Sequence, residues 1–193
     1  MKPRIGWSIV VALGLACGTA SSVSASVTAK NTKAEQTLIN KHALSSSTST
    51  CVGNTAIFKK KPPSNLKPYV KNLLASVNCP LSGQGVPDAV TYQQFANVKS
   101  MNELYSFNLA ESSIRIGENA SANTCPKEEG YSVGSSKALA GDYGCAPSTS
   151  SAPSLLFWTN NRLRILSVTA ANSDPDGSLV LNFFHSGGLG PVG

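Results

Sequence analysis

The 193 residues carry 16 lysines and arginines against 10 acidic residues, a formal net charge of +6, and 41% of the chain is hydrophobic. The charge is uneven: residues 26–80 hold eight lysines against Glu35 alone, whereas residues 81–193 hold six basic against nine acidic residues. The basic run "KKKPPS", Lys59 to Ser64, reads first as a solvated loop; the alternative is a basic face for an anionic partner, which for an exported chain is a wall polymer, phospholipid or acidic protein rather than nucleic acid.

Export is what the N-terminus predicts. Lys2 and Arg4 precede the apolar run "IGWSIVVALGLACG", and small residues lead to a V-x-A site at Val23 and Ala25, the pattern of a secretory signal peptide over residues 1–25. The apolar run is interrupted by Gly6, Ser8 and Gly14, and a spanning helix needs roughly 20 apolar residues. No transmembrane helix is therefore expected after cleavage. A second reading takes "GLAC" as a lipobox with Cys17 lipidated.

Residues 26–50 read as an arm and a helix, in which Thr32 and Glu35 form a capping box and Ala34, Leu38 and Ile39 share a face. After Cys51, "VGNTAIF" reads as a short strand and "KKKPPSN" as a loop whose Lys59, Lys60 and Lys61 could meet an anionic polymer. "PYVKNLLASV" has helical spacing passing to a strand, and "DAVTYQQF" alternates Val90, Tyr92 and Gln94 as a half-buried strand does. "SMNELYSFNLA" predicts a helix opened by Ser100 and Glu103.

A polar loop with a glycosylation sequon at Asn119 leads to strands at "GYSVG" and "SKALAGDYGC". "SLLFWTNNRLRILSV" reads as a hairpin turning at Asn160 and Asn161. "SDPDGSLVLNFFHSGG" predicts a turn and a terminal helix, with a short terminal strand as the competing reading, and residues 187–193 are a tail.

Cys51, Cys79, Cys125 and Cys145 are an even set in an exported chain, which predicts two disulfides among three possible pairings. One spacing selects a pairing: Cys79 precedes Tyr92 by the same interval as Cys145 precedes Trp158, with Pro87 and Pro153 at matching places. If the interval marks two copies of one unit, Cys51 pairs with Cys79 and Cys125 with Cys145. Tyr92 and Trp158 are then equivalent core aromatics, each contributing about 2–3 kcal/mol by burial. The expected fold is α+β, an antiparallel sheet with helices packed on it, built from two related β-β-α halves over residues 51–186.

The order "NCPLSGQGVPDAVTYQQFANVKSMNELYS", "TCP", "GYSV", "GDYGC" and "LLFWTNNRLRILSV" resembles the cysteine-bearing extracellular domain of actinobacterial serine/threonine protein kinases and their small secreted relatives. The matching parts are Tyr92 and Phe95, the helix opening at Met101, and Trp158 to Asn160. The C-terminal helix departs from the family, with "NFF" where paired tryptophans are expected. No kinase catalytic domain lies within these residues. The resemblance implies a sensor-like or interaction role and supplies no catalytic residue.

Searching for chemistry directly gives little. The two histidines, His42 and His185, are distant in sequence, no C-x-x-C occurs, and "DPDG" lacks the remaining oxygens of a calcium loop. No metal and no cofactor is expected. The expectation is a secreted, non-catalytic domain that binds an unknown extracellular ligand or envelope component. The alternative is a hydrolase of wall polymers using two of Glu103, Glu111, Glu118, Glu128, Glu129, Asp142, Asp174 and Asp176. N-terminal sequencing of the exported protein should begin close to Ser26. A lipidated Cys17 at the mature terminus would instead make it membrane-anchored.

Overall fold

The computed structural model describes residues 31–43, 50–60, 62, 64–114, 124–132, 139–172 and 174–186. The leader, Cys17, Lys61, Glu118, the Asn119 sequon and the tail lie outside the described residues. Seven strands, β1 (Val52–Gly53), β2 (Leu73–Pro80), β3 (Ala89–Phe95), β4 (Lys127–Tyr131), β5 (Gly141–Ala146), β6 (Ser154–Asn160) and β7 (Ile165–Ala171), form one antiparallel sheet in the order β1-β2-β3-β7-β6-β5-β4. Five helices pack on it: α1 (Lys33–His42), α2 (Thr55–Lys60), α3 (Lys67–Val70), α4 (Val98–Glu111) and α5 (Ser178–His185). The α+β class and the antiparallel sheet are as the sequence predicts.

Because directly paired residues share a face, the register defines rows across the sheet. One row runs Gly53, Val77, Tyr92, Ser167, Trp158, Tyr143, Glu129, and the next runs Cys79, Val90, Thr169, Leu156, Cys145, Lys127. α1 and α5 cover this first face with Leu38, Ile39, Val180 and Leu181. The second face carries Phe95, Leu155, Phe157 and Leu166, covered by Phe58 of α2, Val70 of α3 and Met101, Leu104 and Leu109 of α4. β3 is therefore buried on both sides rather than half-buried, and every residue of β6 is buried. Tyr92 is 0% and Trp158 1% exposed. Both are core.

Several elements differ from expectation for local reasons. The strand expected at "VGNTAIF" ends at Gly53, because the Thr55 hydroxyl accepts from the Ser76 N–H (2.8 Å) where a further strand carbonyl would have stood. The chain then turns into α2. α3 is a single turn, and β2 begins at Leu73. Positions four apart satisfy a helical and a strand period alike, so Leu73 and Val77 could not arbitrate. A bulge at Leu74 sits between the pairs Leu73–Phe95 and Ala75–Gln94 and turns that side chain outward.

α4 is capped by Asn97, whose side chain accepts from the Ser100 N–H (2.9 Å), and not by Ser100. Ser100 is buried and accepts instead from Asn72 Nδ2. β4 begins at Lys127, ahead of the strand expected at "GYSVG", of which Val133 and Gly134 lie outside the described residues. The β6–β7 connection is a four-residue turn, 161–164, with the positive φ at Arg164 (58°) and not at Asn160 or Asn161. α5 follows the "DPDG" turn as expected, with the Asp174 carboxylate accepting from the N–H groups of Leu179 and Val180.

The disulfides are Cys51–Cys79 and Cys125–Cys145, the predicted pairing, but the strand order does not support two copies of one unit. β3 and β6 both run antiparallel to β7 and are parallel to each other, and Tyr92 and Trp158 point to the same face. Yet β2 lies on one side of β3 and β5 on the opposite side of β6. Seen from that face the two hairpins advance in opposite directions, and a half-turn about β7 that carries β3 onto β6 exchanges the faces of the sheet, so it does not make Tyr92 and Trp158 equivalent. The common interval has a simpler origin: Cys79 pairs with Val90 and Cys145 with Leu156, so both hairpins have the same register, and the aromatic follows two residues later on the same face.

α1 is tied to the sheet edge by a buried carboxylate. Glu35 accepts from the N–H of Thr32 (2.7 Å) and of Thr55 (3.0 Å), while Asn31 accepts from the Gly53 N–H (2.7 Å). The Glu35 carboxylate fills the space a Cβ on Gly53 would need. Burial raises its pKa, but the hydrogen bonds from Thr55 and Thr32 outweigh this and hold it below the ordinary value. Its contribution to stability is therefore present above the unfolded carboxyl's pKa and lost as pH falls through the lowered folded value.

Three outcomes follow for denaturation experiments. Trp158→Ala and Tyr92→Ala should each cost about 3–5 kcal/mol, measured by thermal or urea unfolding. Gly53→Ala should destabilise by displacing Glu35. The stability gap between wild type and Glu35→Gln should be widest near neutral pH and close in acid.

Candidate functional site

The described titratable side chains gather in three places. On the first face, alternation along β4 aims Lys127, Glu129 and Tyr131 toward α5. Glu129 accepts from the Tyr143 hydroxyl (2.7 Å) and pairs with the Lys127 ammonium (2.8 Å). The Lys127 side chain is only 7% exposed. The hydrogen bond from Lys127, opposed by partial burial and reinforced by Tyr143, holds the Glu129 carboxyl below its ordinary pKa. Burial, and then the bond to Glu129, push the Tyr143 phenol up. His185, the last residue of α5, stands edge-on to Tyr143 with ring centres 6.0 Å apart. A carboxylate so engaged is poorly suited to donate a proton and acts as a latch holding β4 and β5 together.

On the second face, Glu128 and Asp142 are diagonal neighbours on adjacent strands, since Glu128 pairs with Gly144 and Gly130 with Asp142. Tyr105 of α4 packs over Gly144. Burial raises the Tyr105 phenol pKa first, and the charges of Glu128 and Asp142 add to it. Burial also raises the Asp142 carboxyl. Glu128 and Glu129, adjacent in sequence, are on opposite faces and cannot act on one bond. Glu103 is on the surface of α4 beside Lys99, Glu111 is exposed, Asp174 caps α5, and Asp176 is exposed in the turn before it. Of the candidate acids, the sheet brings only Glu128 and Asp142 onto one face among the described residues.

The third place is the flank formed by β1, α2 and α3. Lys59, Lys60, Lys67 and Lys71 are exposed there, and residues 50–80 contain no acidic side chain. Among the described residues the exposed large apolar side chains are scattered over several elements: Val52 (55%) in β1, Ile57 (58%) in α2, Leu74 (43%) at the β2 bulge, Val98 in α4 and Leu139 before β5.

His42 ends α1, and burial, then the neighbouring Lys41 charge, lower its pKa. Among the described residues no group of three or more His, Cys, Asp or Glu side chains could hold a metal ion, and no helix is long and apolar enough to cross a membrane. The β4 latch was missed in the sequence reading. Its signal was the period-two placement of Lys127, Glu129 and Tyr131 in "KEEGY". Compared with known proteins, the chain matches no family model, no curated protein and no solved structure.

The latch makes an asymmetric prediction. Glu129→Gln should cost about 1–3 kcal/mol, because the buried ammonium loses its counter-charge. Lys127→Met should cost less, since an apolar side chain of similar length replaces the buried ion. Urea titrations of the two variants measure the difference, and equal losses would assign the stability to packing alone.

Proposed function

We propose that the protein is an exported, non-catalytic binding domain of the cell envelope or extracellular space. In this reading it is sensor-like in the manner of the kinase extracellular domains it resembles, and it engages an anionic component through the β1-α2-α3 flank. The observation that carries the reading is the segregation of charge. Lys59, Lys60, Lys67 and Lys71 are exposed on one flank without a carboxylate in that stretch of chain, so their field adds outward instead of being spent internally. The aromatics Tyr92 and Trp158 are core and take no part in ligand stacking. The two disulfides suit an oxidising compartment.

A column of immobilised polyanion tests this reading. The exported protein should be retained and then released by salt, and replacing the four lysines by glutamine should abolish retention without lowering the melting temperature. Equal retention of both proteins would refute it.

A second reading, hydrolysis of wall polymers, draws on the shared face of Glu128 and Asp142 and on the raised Asp142 carboxyl. It requires that purified protein release fragments from wall material and that Asp142→Asn stop the release.

A further inference from the structure

The second face carries two carboxylates that no described side chain of opposite charge balances. Glu128 and Asp142 occupy one diagonal of a square on β4 and β5, and Gly130 and Gly144 occupy the other. Lys127 is turned to the opposite face, where Glu129 takes it. Burial raises the Asp142 carboxyl, and no basic side chain among the described residues pulls it back. Both carboxylates are half-buried, so solvent reaches them.

The inner side of the square is closed by α4. One edge of this helix faces α3, through the Asn72–Ser100 hydrogen bond and the Tyr69–Phe107 ring contact. The other edge lays Leu109 and Tyr105 over Gly144, where a Cβ would stand 3.3 Å from the Tyr105 hydroxyl. Tyr105 is 4% exposed, its hydroxyl closes no hydrogen bond, and the charges of Glu128 and Asp142 both bear on it. Glu128 faces the phenol closely enough to help keep its proton on, without the bond being closed. A buried hydroxyl left open beside two carboxylates is costly, and a ligand that completes the set accounts for it. The outer rim is apolar: Leu139, 64% exposed, lies across Gly130 beside the Asp142 carboxylate.

These features specify a ligand. Three side chains offer acceptor oxygens and two of them are charged, so the ligand brings N–H donors and positive charge. A hard divalent ion takes about six oxygen ligands, and here a protonated phenol accompanies only two carboxylates. An ammonium has three N–H donors, one for each side chain, and Leu139 can cover the methylenes behind it. We infer that Glu128, Asp142 and Tyr105 bind a primary alkylammonium group, with Leu139 against its carbon chain. The inference goes beyond the basic flank and holds whether or not that flank binds a polyanion.

Titration of the exported protein with Nα-acetyllysine methylamide, followed by NMR, tests the inference, with the norleucine analogue as the uncharged control. Wild type should bind the lysine amide, shifting the Gly130 and Gly144 amides, and should not bind the norleucine amide. Asp142→Asn and Glu128→Gln should each weaken binding about tenfold, and Tyr105→Phe about fivefold. Melting temperatures of the two carboxylate variants should hold or rise, because each removes one of two unbalanced like charges. Sedimentation velocity separates the sources of the amine: self-association that Asp142→Asn abolishes would name a lysine of a second copy, and a monomer at every concentration a separate amine-bearing ligand. Absence of any amide shift, equal binding of the two amides, or lysine-amide binding unchanged in either carboxylate variant would overturn the inference. So would binding of Ca²⁺ at these amides without binding of the lysine amide, which would put a metal ion there instead.

Discussion

Everything in this fold is arranged around a size constraint in one row of the sheet. Tyr92 and Trp158 point to the same face with a single strand between them, and the residue that strand presents is Ser167. Two large rings fit side by side on a sheet surface only if what separates them is small, because protein interiors are packed too densely to absorb an extra side chain. With serine there, the rings, Val77 and Tyr143 make a continuous apolar floor on which α1 and α5 lie. The helices are in turn fixed at their ends by carboxylates: Glu35 holds the start of α1 to the β1 edge, and Asp174, which also accepts from Ser154 (2.8 Å), holds the start of α5. Each is buried and receives several hydrogen bonds, the condition under which a carboxylate can be taken out of water.

Charge follows the same division between interior and edge. At one margin of the sheet, β4 turns Lys127 and Glu129 inward, where they neutralise each other and help blunt an otherwise open strand. At the other margin β1 is two residues long, and the chain folds over it as α2 and α3. The lysines there stay outside because Thr55 and Phe58 of α2 and Val70 of α3 occupy the positions that face the sheet. The paired Lys127 and Glu129 at one margin and the outward-facing lysines at the other give the domain an electrostatic sidedness that the net charge of +6 conceals.

What the sequence disclosed were features set by local rules. The Thr32–Glu35 box is present with both of its hydrogen bonds, the cysteines pair as the equal spacing suggested, and both large aromatics are core. What it hid depended on partners remote in the chain. Nothing near Thr55 announces that its hydroxyl will meet Ser76, and nothing near Arg164 announces that it will adopt a positive φ while its guanidinium donates to the Ala96 carbonyl (2.9 Å). Spacing also misled about symmetry, because equal intervals record equal hairpin registers whether the hairpins advance to the left or to the right. The lysines of the basic flank were legible as charge.

The place of β7 has a consequence for how such a chain matures. Among the described residues it is the last strand in sequence, and it lies at the centre of the sheet, between β3 and β6. It joins them with paired backbone along its length and with the Thr169 hydroxyl donating to the Ala89 carbonyl (2.7 Å). Until residues 165–171 arrive, β1 to β3 and β4 to β6 are separate sheets with their most apolar strands at an unpaired edge. A polypeptide emerging N-terminus first therefore cannot close this domain from a partial length. Closure comes in one long-range step once β7 is available, the kind of non-local pairing that makes folding slow.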